Sequence, residues 1–172
     1  MPVSQLDLVS TLCVDCGLCC NGTLFDVANI REDERDFAAS LGLKVTTGSD
    51  GTGAGFALPC PHLCGAACTI YDQPRPSVCS AFFCRLAHAL DDGETSLDAA
   101  QERVAKAKAL LGAIKPLLRE GEDIAAARDR WRRLKGQFSP GSNEAQLHAA
   151  MVALNLYLHR NFRLPGDPLF NG

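Results

Sequence analysis

The distribution of cysteines constrains the fold of this chain more than any other sequence feature. All nine lie between residues 13 and 84, and the last 88 residues contain none. The first four stand in the run Cys13-Val14-Asp15-Cys16-Gly17-Leu18-Cys19-Cys20. The remaining five follow at Cys60, Cys64, Cys68, Cys79 and Cys84. Thiols this dense and this segregated indicate that the first half of the chain is organised around them, either by disulfides or by a bound metal.

The expected compartment favours metal. Residues 1–12 contain neither a basic region nor an apolar run of signal-peptide length, and no stretch elsewhere reaches the roughly 18 apolar residues of a membrane span. A cytoplasmic protein without a membrane partner is therefore expected. Disulfides are rare in that reducing environment, where repeated Cys-x-x-Cys spacing is typical of metal binding. An odd number of cysteines also disfavours a complete disulfide framework, although a pair that oxidises when metal is lost stays open.

The adjacent pair Cys19-Cys20 bears on the number of metal centres. Neighbouring side chains on an extended backbone point to opposite sides, which disfavours their joint ligation of one ion. Two centres or one polynuclear cluster is the simplest interpretation, with one of the pair as a buried bystander as the alternative. Soft thiolates select zinc or iron–sulfur clusters over magnesium and calcium. Neither the bacterial ferredoxin run nor the paired knuckles of a zinc ribbon fits the spacing, so both metals remain open.

Four further motifs carry a resemblance to a known family. Together with Cys13-x-x-Cys16-Gly17-x-Cys19-Cys20, the chain resembles the cysteine-cluster family of zinc- or iron-chelating domains over about residues 10–90. The supporting motifs are Pro59-Cys60-Pro61-His62-Leu63, Cys68-Thr69-Ile70-Tyr71, Arg75-Pro76-x-x-Cys79 and Phe82-x-Cys84. Ser80 stands where the family usually has an arginine, and Cys64 is additional to the family pattern.

The resemblance implies a set of eight metal ligands and a function. The ligands are Cys13, Cys16, Cys19, Cys20, Cys60, Cys68, Cys79 and Cys84. They imply a metal-binding protein that holds zinc or iron, the latter in a [4Fe–4S] cluster. The family includes the domain of the flagellin lysine methylase, so an iron–sulfur redox protein or a component of a protein-methylation system is the alternative function.

Other polar residues near the cysteines are weaker candidates. His62 and His88 are secondary candidates for metal ligation, and Cys84 and His88 have the i, i+4 spacing of one helix face. Arg75 and Arg85 are expected to offset thiolate charge. Tyr71 is interpreted as a packed ring rather than a catalytic group.

The predicted fold class is α+β and mostly helical: a small, loop-rich cysteine core with short strands, followed by a C-terminal bundle of about three helices. Strands are predicted at 25–30, 44–47 and 56–58, with a mobile glycine-rich tip at 48–55 and a short helix at 31–41. The cysteine run 13–20 is expected to be an irregular knuckle. Three longer helices are predicted to start near Thr95, Asp123 and Glu144, and Pro116 to end the first of them.

The domains predicted are a cysteine-cluster domain at 1–92, a helical bundle at 93–163 packed on it, and a flexible tail at 164–172. The helical half is the candidate surface for a protein partner. A net charge of −3 does not indicate a nucleic-acid or membrane partner. The basic run 128–135 is accordingly interpreted as a solvated helix face.

Overall fold

The computed structural model describes residues 5–167, with side chains from Leu8 onward. The protein is mixed α+β and mostly helical, as predicted, and it divides into two compact units. The N-terminal unit ends at Phe83 and the C-terminal unit begins at Cys84. Residues 84–92, which the sequence placed with the cysteines, therefore belong to the helical unit. No helix in the described range has the length and apolar character needed to cross a membrane.

The N-terminal unit begins with helix α1 (Gln5–Cys16). Val9 and Leu12, three residues apart, bury one face of this helix. Gly17 has φ +68°, a conformation that suits glycine and ends the helix. The prediction of an irregular knuckle over the whole of 13–20 is therefore wrong for its first half, because the apolar spacing in residues 9–12 carries a helix through Cys16.

A three-stranded antiparallel sheet follows, in the order β1-β3-β2 (β1 Val27–Ile30, β2 Val45–Thr47, β3 Ala54–Ala57). The register pairs Ala28 and Val45 with Phe56 from opposite sides. A 3-10 turn at Glu32–Glu34 and helix α2 (Arg35–Ser40) cross between β1 and β2. This confirms the predicted strands and the predicted helix, which Gly42 closes with φ +75°.

Ala38, Leu43 and Phe56 form one buried cluster of the N-terminal unit, and Cys60 and Val78 are among the partly buried residues that pack against it. The other buried apolar residues described in this unit are Val9, Leu12, Leu18, Leu24 and Ala54. A short hairpin (β4 Leu63–Cys64, β5 Ala67–Cys68) and the four-residue helix α3 (Val78–Ala81) complete the unit. The glycine-rich tip has a defined hydrogen-bonded structure, in which the Asn29 side chain accepts the Ser49 N–H at 2.7 Å.

The C-terminal unit consists of four helices: α4 (Arg85–Asp91), α5 (Leu97–Gly112), α6 (Ile124–Leu134) and α7 (Asn143–Asn161). Three of them begin at side-chain caps, where Ser96, Asp123 and Ser142 accept backbone N–H groups. After α5, a 3-10 turn at Lys115–Leu117 contains Pro116, as the sequence predicted. Residues 164–167 of the predicted tail form a turn closed by Asp167, and 168–172 lie outside the described residues.

Helix α7 packs against α5 and α6 and carries the bundle core. It buries Leu147, Met151, Leu154 and Leu158, which follow one another at helical spacing, whereas Leu156 is 49% exposed. The apolar residues of α7 outnumber the positions that face its neighbours, so Leu156, Ala149 and Ala153 are left on the surface.

The interpretation of 128–135 as a solvated face is wrong at two positions, since Arg128 and Arg130 are both buried. Two guanidinium nitrogens of Arg130 bind the Glu122 carboxylate at 2.7 and 2.8 Å. The partner lies eight residues upstream and outside the helix, which is why charge patterning within the helix did not reveal the pair.

Candidate metal centre

The backbone brings three of the cysteine-bearing segments of the N-terminal unit together. The Cys60 N–H donates to the Cys20 carbonyl at 2.8 Å, which joins the first cysteine run to the second. In the β4–β5 hairpin, Cys68 is paired with Leu63, whose N–H donates to the Cys60 carbonyl at 3.1 Å. Cys20, Cys60 and Cys68 are therefore tied to one another through main-chain hydrogen bonds although 48 positions separate the first from the last.

Gly17 allows this close approach. A Cβ atom on Gly17 would lie 3.1 Å from the Ala66 Cα in the hairpin turn, tighter than ordinary van der Waals contact. Its positive φ further disfavours any residue with a side chain. The glycine inside the Cys16-Gly17-x-Cys19 motif thus serves to dock the end of α1 and the following turn against the hairpin.

Four thiols share one electrostatic environment: Cys20, Cys60, Cys68 and Cys79, referred to below as the four-cysteine group. Burial raises the pKa of Cys20, and negative charge on Cys60 and Cys68 raises it further. Burial, followed by the proximity of Cys20, raises the pKa of Cys79 to about 11. Cys20 and Cys79 keep exposed surface, so neighbouring protein atoms desolvate their thiols without covering them. Thiols that hinder each other's ionisation in this way are suited to share a cation.

Arg75 is the nearby positive charge. Its guanidinium carbon lies 4.4 Å from the centre of the Tyr71 ring, a cation–π stack that restrains the long side chain. From there its charge lowers the pKa of Cys20 and of Cys79, opposing the larger effect of burial. This direction is the one expected of a residue that offsets thiolate charge, and its role at a metal site stays a prediction. The Tyr71 ring, expected to be packed, is 37% exposed and contacts this arginine.

The turn after Cys60 supplies a donor to sulfur. Burial raises the pKa of Cys60, and the backbone N–H of His62 opposes this by hydrogen bonding to the thiolate. Backbone N–H donation to sulfur is the interaction that stabilises thiolate ligands in metal centres. The imidazole of His62 makes a different contact: its Nε2 lies 2.7 Å from the carbonyl oxygen of Leu41. His62 therefore contributes to the group through its main chain.

The other predicted ligands lie outside the four-cysteine group. Cys13 and Cys16 are on α1, three residues apart, and Cys19 follows the Gly17 turn. Burial differs along this run, since Cys13 and Cys20 are exposed while Cys16 and Cys19 are partly buried. Whether Cys19 and Cys20 serve different centres stays a prediction. Cys64, which the resemblance left out of the ligand set, is exposed and also stands outside the group.

Cys84 belongs to the C-terminal unit. It precedes α4, where burial raises the pKa of its thiol and the N–H groups of Ala87 and Leu86 oppose that effect. Arg85 and His88 lie on the same helix, with both side chains exposed.

Among the side chains that the structure describes, from residue 8 to residue 167, no group of three Cys, His, Asp or Glu residues is arranged to hold a metal ion. The four thiols affect each other's ionisation without forming such a group. The chemistry of the donor set, four thiols with one guanidinium and one N–H donor to sulfur, fits a thiophilic metal.

Sequence reasoning missed Glu34, a carboxylate that is only 7% exposed and that holds the segment carrying Cys79. Its oxygens accept the backbone N–H and the hydroxyl of Ser77, at 2.7 and 3.0 Å. The spacing of Glu34 from Arg31 indicates the capping arrangement that the structure shows. The contact with Ser77 spans 43 residues, and no local pattern signals it.

Comparison with known proteins adds no relative: no protein family, curated protein or solved structure matches this chain.

Proposed function

We propose that this protein binds a thiophilic metal, zinc or an iron–sulfur cluster, on clustered cysteine thiolates of its N-terminal unit. The observation that carries this proposal is the four-cysteine group, in which every pair of thiols is electrostatically coupled. Such coupling disfavours four thiolates by themselves and is relieved when a cation is bound.

Three features support a metal rather than a disulfide at this position. Cys20, Cys60, Cys68 and Cys79 are all present as thiols and not as disulfides. Arg75 supplies positive charge near Cys20 and Cys79, which suits a site that keeps excess negative charge when four thiolates bind a divalent ion. The backbone N–H of His62 acts to lower the pKa of Cys60, against the larger effect of burial, which favours a thiolate at this position.

The bound metal would supply cross-linking between segments that have little secondary structure of their own. Cys20 lies in a turn, Cys60 in a loop, Cys68 in a two-residue strand and Cys79 in a four-residue helix. In a unit of this kind the free energy of metal binding contributes directly to folding.

The experiment is anaerobic purification of the full chain followed by metal and acid-labile sulfide analysis. Stoichiometric zinc with no sulfide would identify a zinc site. Iron with sulfide and broad visible absorption would identify a cluster. A chain that carries neither metal after purification from metal-supplemented cells, and takes up neither on reconstitution, would refute the proposal.

A matched pair of variants locates the site. Cys79→Ser removes a member of the four-cysteine group and is expected to abolish stoichiometric metal. Cys64→Ser removes an exposed thiol in the same unit and is expected to retain it. Equal retention by the two variants would place the metal elsewhere. The denaturation midpoint of Trp131 fluorescence, which reports on the C-terminal unit, should not change in either variant.

A further inference from the structure

Glu34 is a buried carboxylate that is not among the proposed metal ligands. Placing a carboxylate in the protein interior is costly unless hydrogen bonds replace its hydration. Three donors do so here: the backbone N–H and hydroxyl of Ser77, and the backbone N–H of Arg31 at 3.1 Å. Donation from the Ser77 backbone, above all, lowers the pKa of Glu34 and keeps the carboxylate ionised.

Ser77 is the point at which the Cys79 segment is attached to the rest of the unit. Pro76, which precedes it, is buried and has no N–H to donate. The Cys79 N–H donates to the Pro76 carbonyl at 2.9 Å, so the cysteine is fixed to the same turn. Helix α3 is too short to be stable alone, because a single turn does not offset the cost of helix nucleation.

Contacts on both sides of Cys79 hold its segment. Val78 packs against the cluster formed by Ala38, Leu43 and Phe56, and the Phe82 ring packs edge-on against Phe25 at a centroid distance of 5.3 Å. The two hydrogen bonds from Ser77 to Glu34 are the directional contact of the segment. Apolar packing has no fixed direction, so these hydrogen bonds define the orientation of the turn that carries Cys79.

We propose that Glu34 is the positioning residue for Cys79. Its ionised side chain accepts two hydrogen bonds from Ser77 and thereby holds the Cys79 thiol within the four-cysteine group. This inference rests on the proposed metal-binding function. On this view the Glu34 carboxylate binds no metal itself but affects the metal affinity of the site through the position of Cys79.

The test is a cobalt titration of the full chain, followed by the thiolate-to-cobalt absorption band and competition with a chelator. Glu34→Gln keeps the size of the side chain but removes its charge and one acceptor oxygen. We expect it to weaken cobalt binding about tenfold or more, the usual effect of losing a group that orients a ligand. Glu32→Gln, an exposed carboxylate in the same 3-10 turn, is the matched control and should bind as the wild type does. Wild-type affinity in Glu34→Gln would overturn the inference.

A metal-free measurement separates this inference from the proposed function. Alkylation of each cysteine is followed by mass spectrometry at pH 8 after chelation. Cys79 should react severalfold faster in Glu34→Gln, because its released segment exposes the thiol more often, while Cys64 is unchanged. If the wild type binds no cobalt and also takes up no iron–sulfur cluster on reconstitution, the proposed function fails, and an unchanged Cys79 rate would refute the positioning role independently. Equal acceleration of Cys20, Cys60, Cys68 and Cys79 would also refute it, because the variant would then have loosened the whole unit.

Discussion

The two units are nearly equal in length but are stabilised in different ways. Of the 22 buried apolar residues in the described part of the chain, eight lie in the N-terminal unit and fourteen in the C-terminal unit. By contrast, eight of the nine cysteines lie in the N-terminal unit. The C-terminal unit buries apolar side chains between helices of up to 19 residues, whereas the strands of the N-terminal unit have two to four residues.

The N-terminal unit buries fewer apolar side chains than the C-terminal unit for a similar number of ordered residues, so hydrophobic burial offsets less of its conformational entropy. The metal proposed above would add stabilisation in the unit that has less apolar burial. The C-terminal unit is stabilised chiefly by the apolar contacts of α7 with its neighbours.

Among the predicted changes, metal removal should have the largest effect, and it should affect only the N-terminal unit. We expect chelation under reducing conditions to unfold the N-terminal unit, since structural thiolate sites contribute about 10 kcal/mol or more of folding free energy. Hydrogen exchange measured along the full chain checks this. Protection should be lost in β3 and in the β4–β5 hairpin and kept in α7.

The C-terminal unit is the internal control of that experiment. Loss of protection in α7 to the same extent as in β3 would show that the two units unfold together and that the comparison is wrong. Retained protection in β3 after complete metal removal would show that the small apolar core is sufficient.

The residues that sequence analysis predicted well are those governed by local patterns. The buried stripe of α7 follows from apolar spacing, and Ser96 caps α5 within a recognisable capping sequence. The strands flanking residues 48–53 follow from turn chemistry. The helix through Cys16 was missed because cysteines were assigned to a loop, although Val9 and Leu12 already had helical spacing.

The candidate site was predicted less completely, because its geometry depends on contacts between distant segments. Spacing identified Cys20, Cys60, Cys68 and Cys79 as thiols of interest, but it did not separate them from Cys13, Cys16 and Cys19. The coupling of the four thiols depends on contacts between segments that are far apart in the sequence. Glu34 was missed altogether, since its partner Ser77 is remote in sequence.

The buried ion pair of the C-terminal unit provides the second prediction. Arg130 holds the Glu122 carboxylate, chiefly by side-chain hydrogen bonds, and lowers its pKa from 4.5 to about 2. Glu122→Gln leaves Arg130 buried with a neutral partner and is expected to destabilise the C-terminal unit by roughly 3 kcal/mol. Urea denaturation followed by Trp131 fluorescence measures the loss, and metal content should remain that of the wild type. Glu120→Gln, an exposed neighbour, is the control.

The same pair gives a pH dependence with a defined sign. Because the pKa of Glu122 is depressed in the folded state, its contribution is fully present above pH 4.5 and is lost as the pH falls toward about 2. Denaturation midpoints of the wild type should therefore decline over this range more steeply than those of Glu122→Gln. Parallel declines would show that the pair does not stabilise the unit.

The smallest expected effect concerns the start of α7. The Ser142 hydroxyl accepts the Ala145 N–H at 3.1 Å and donates to the Ser139 carbonyl at 2.7 Å. Ser142→Ala removes both contacts and should lower the stability of the C-terminal unit by about 1 kcal/mol, again measured through Trp131. Ser139→Ala keeps the carbonyl that Ser142 uses and should cost much less. Because α7 lies wholly in the helical unit, neither variant should change the cobalt affinity of the four-cysteine group. A change in that affinity would mean that metal binding and helix packing are coupled, and the two units would then no longer be separately stabilised.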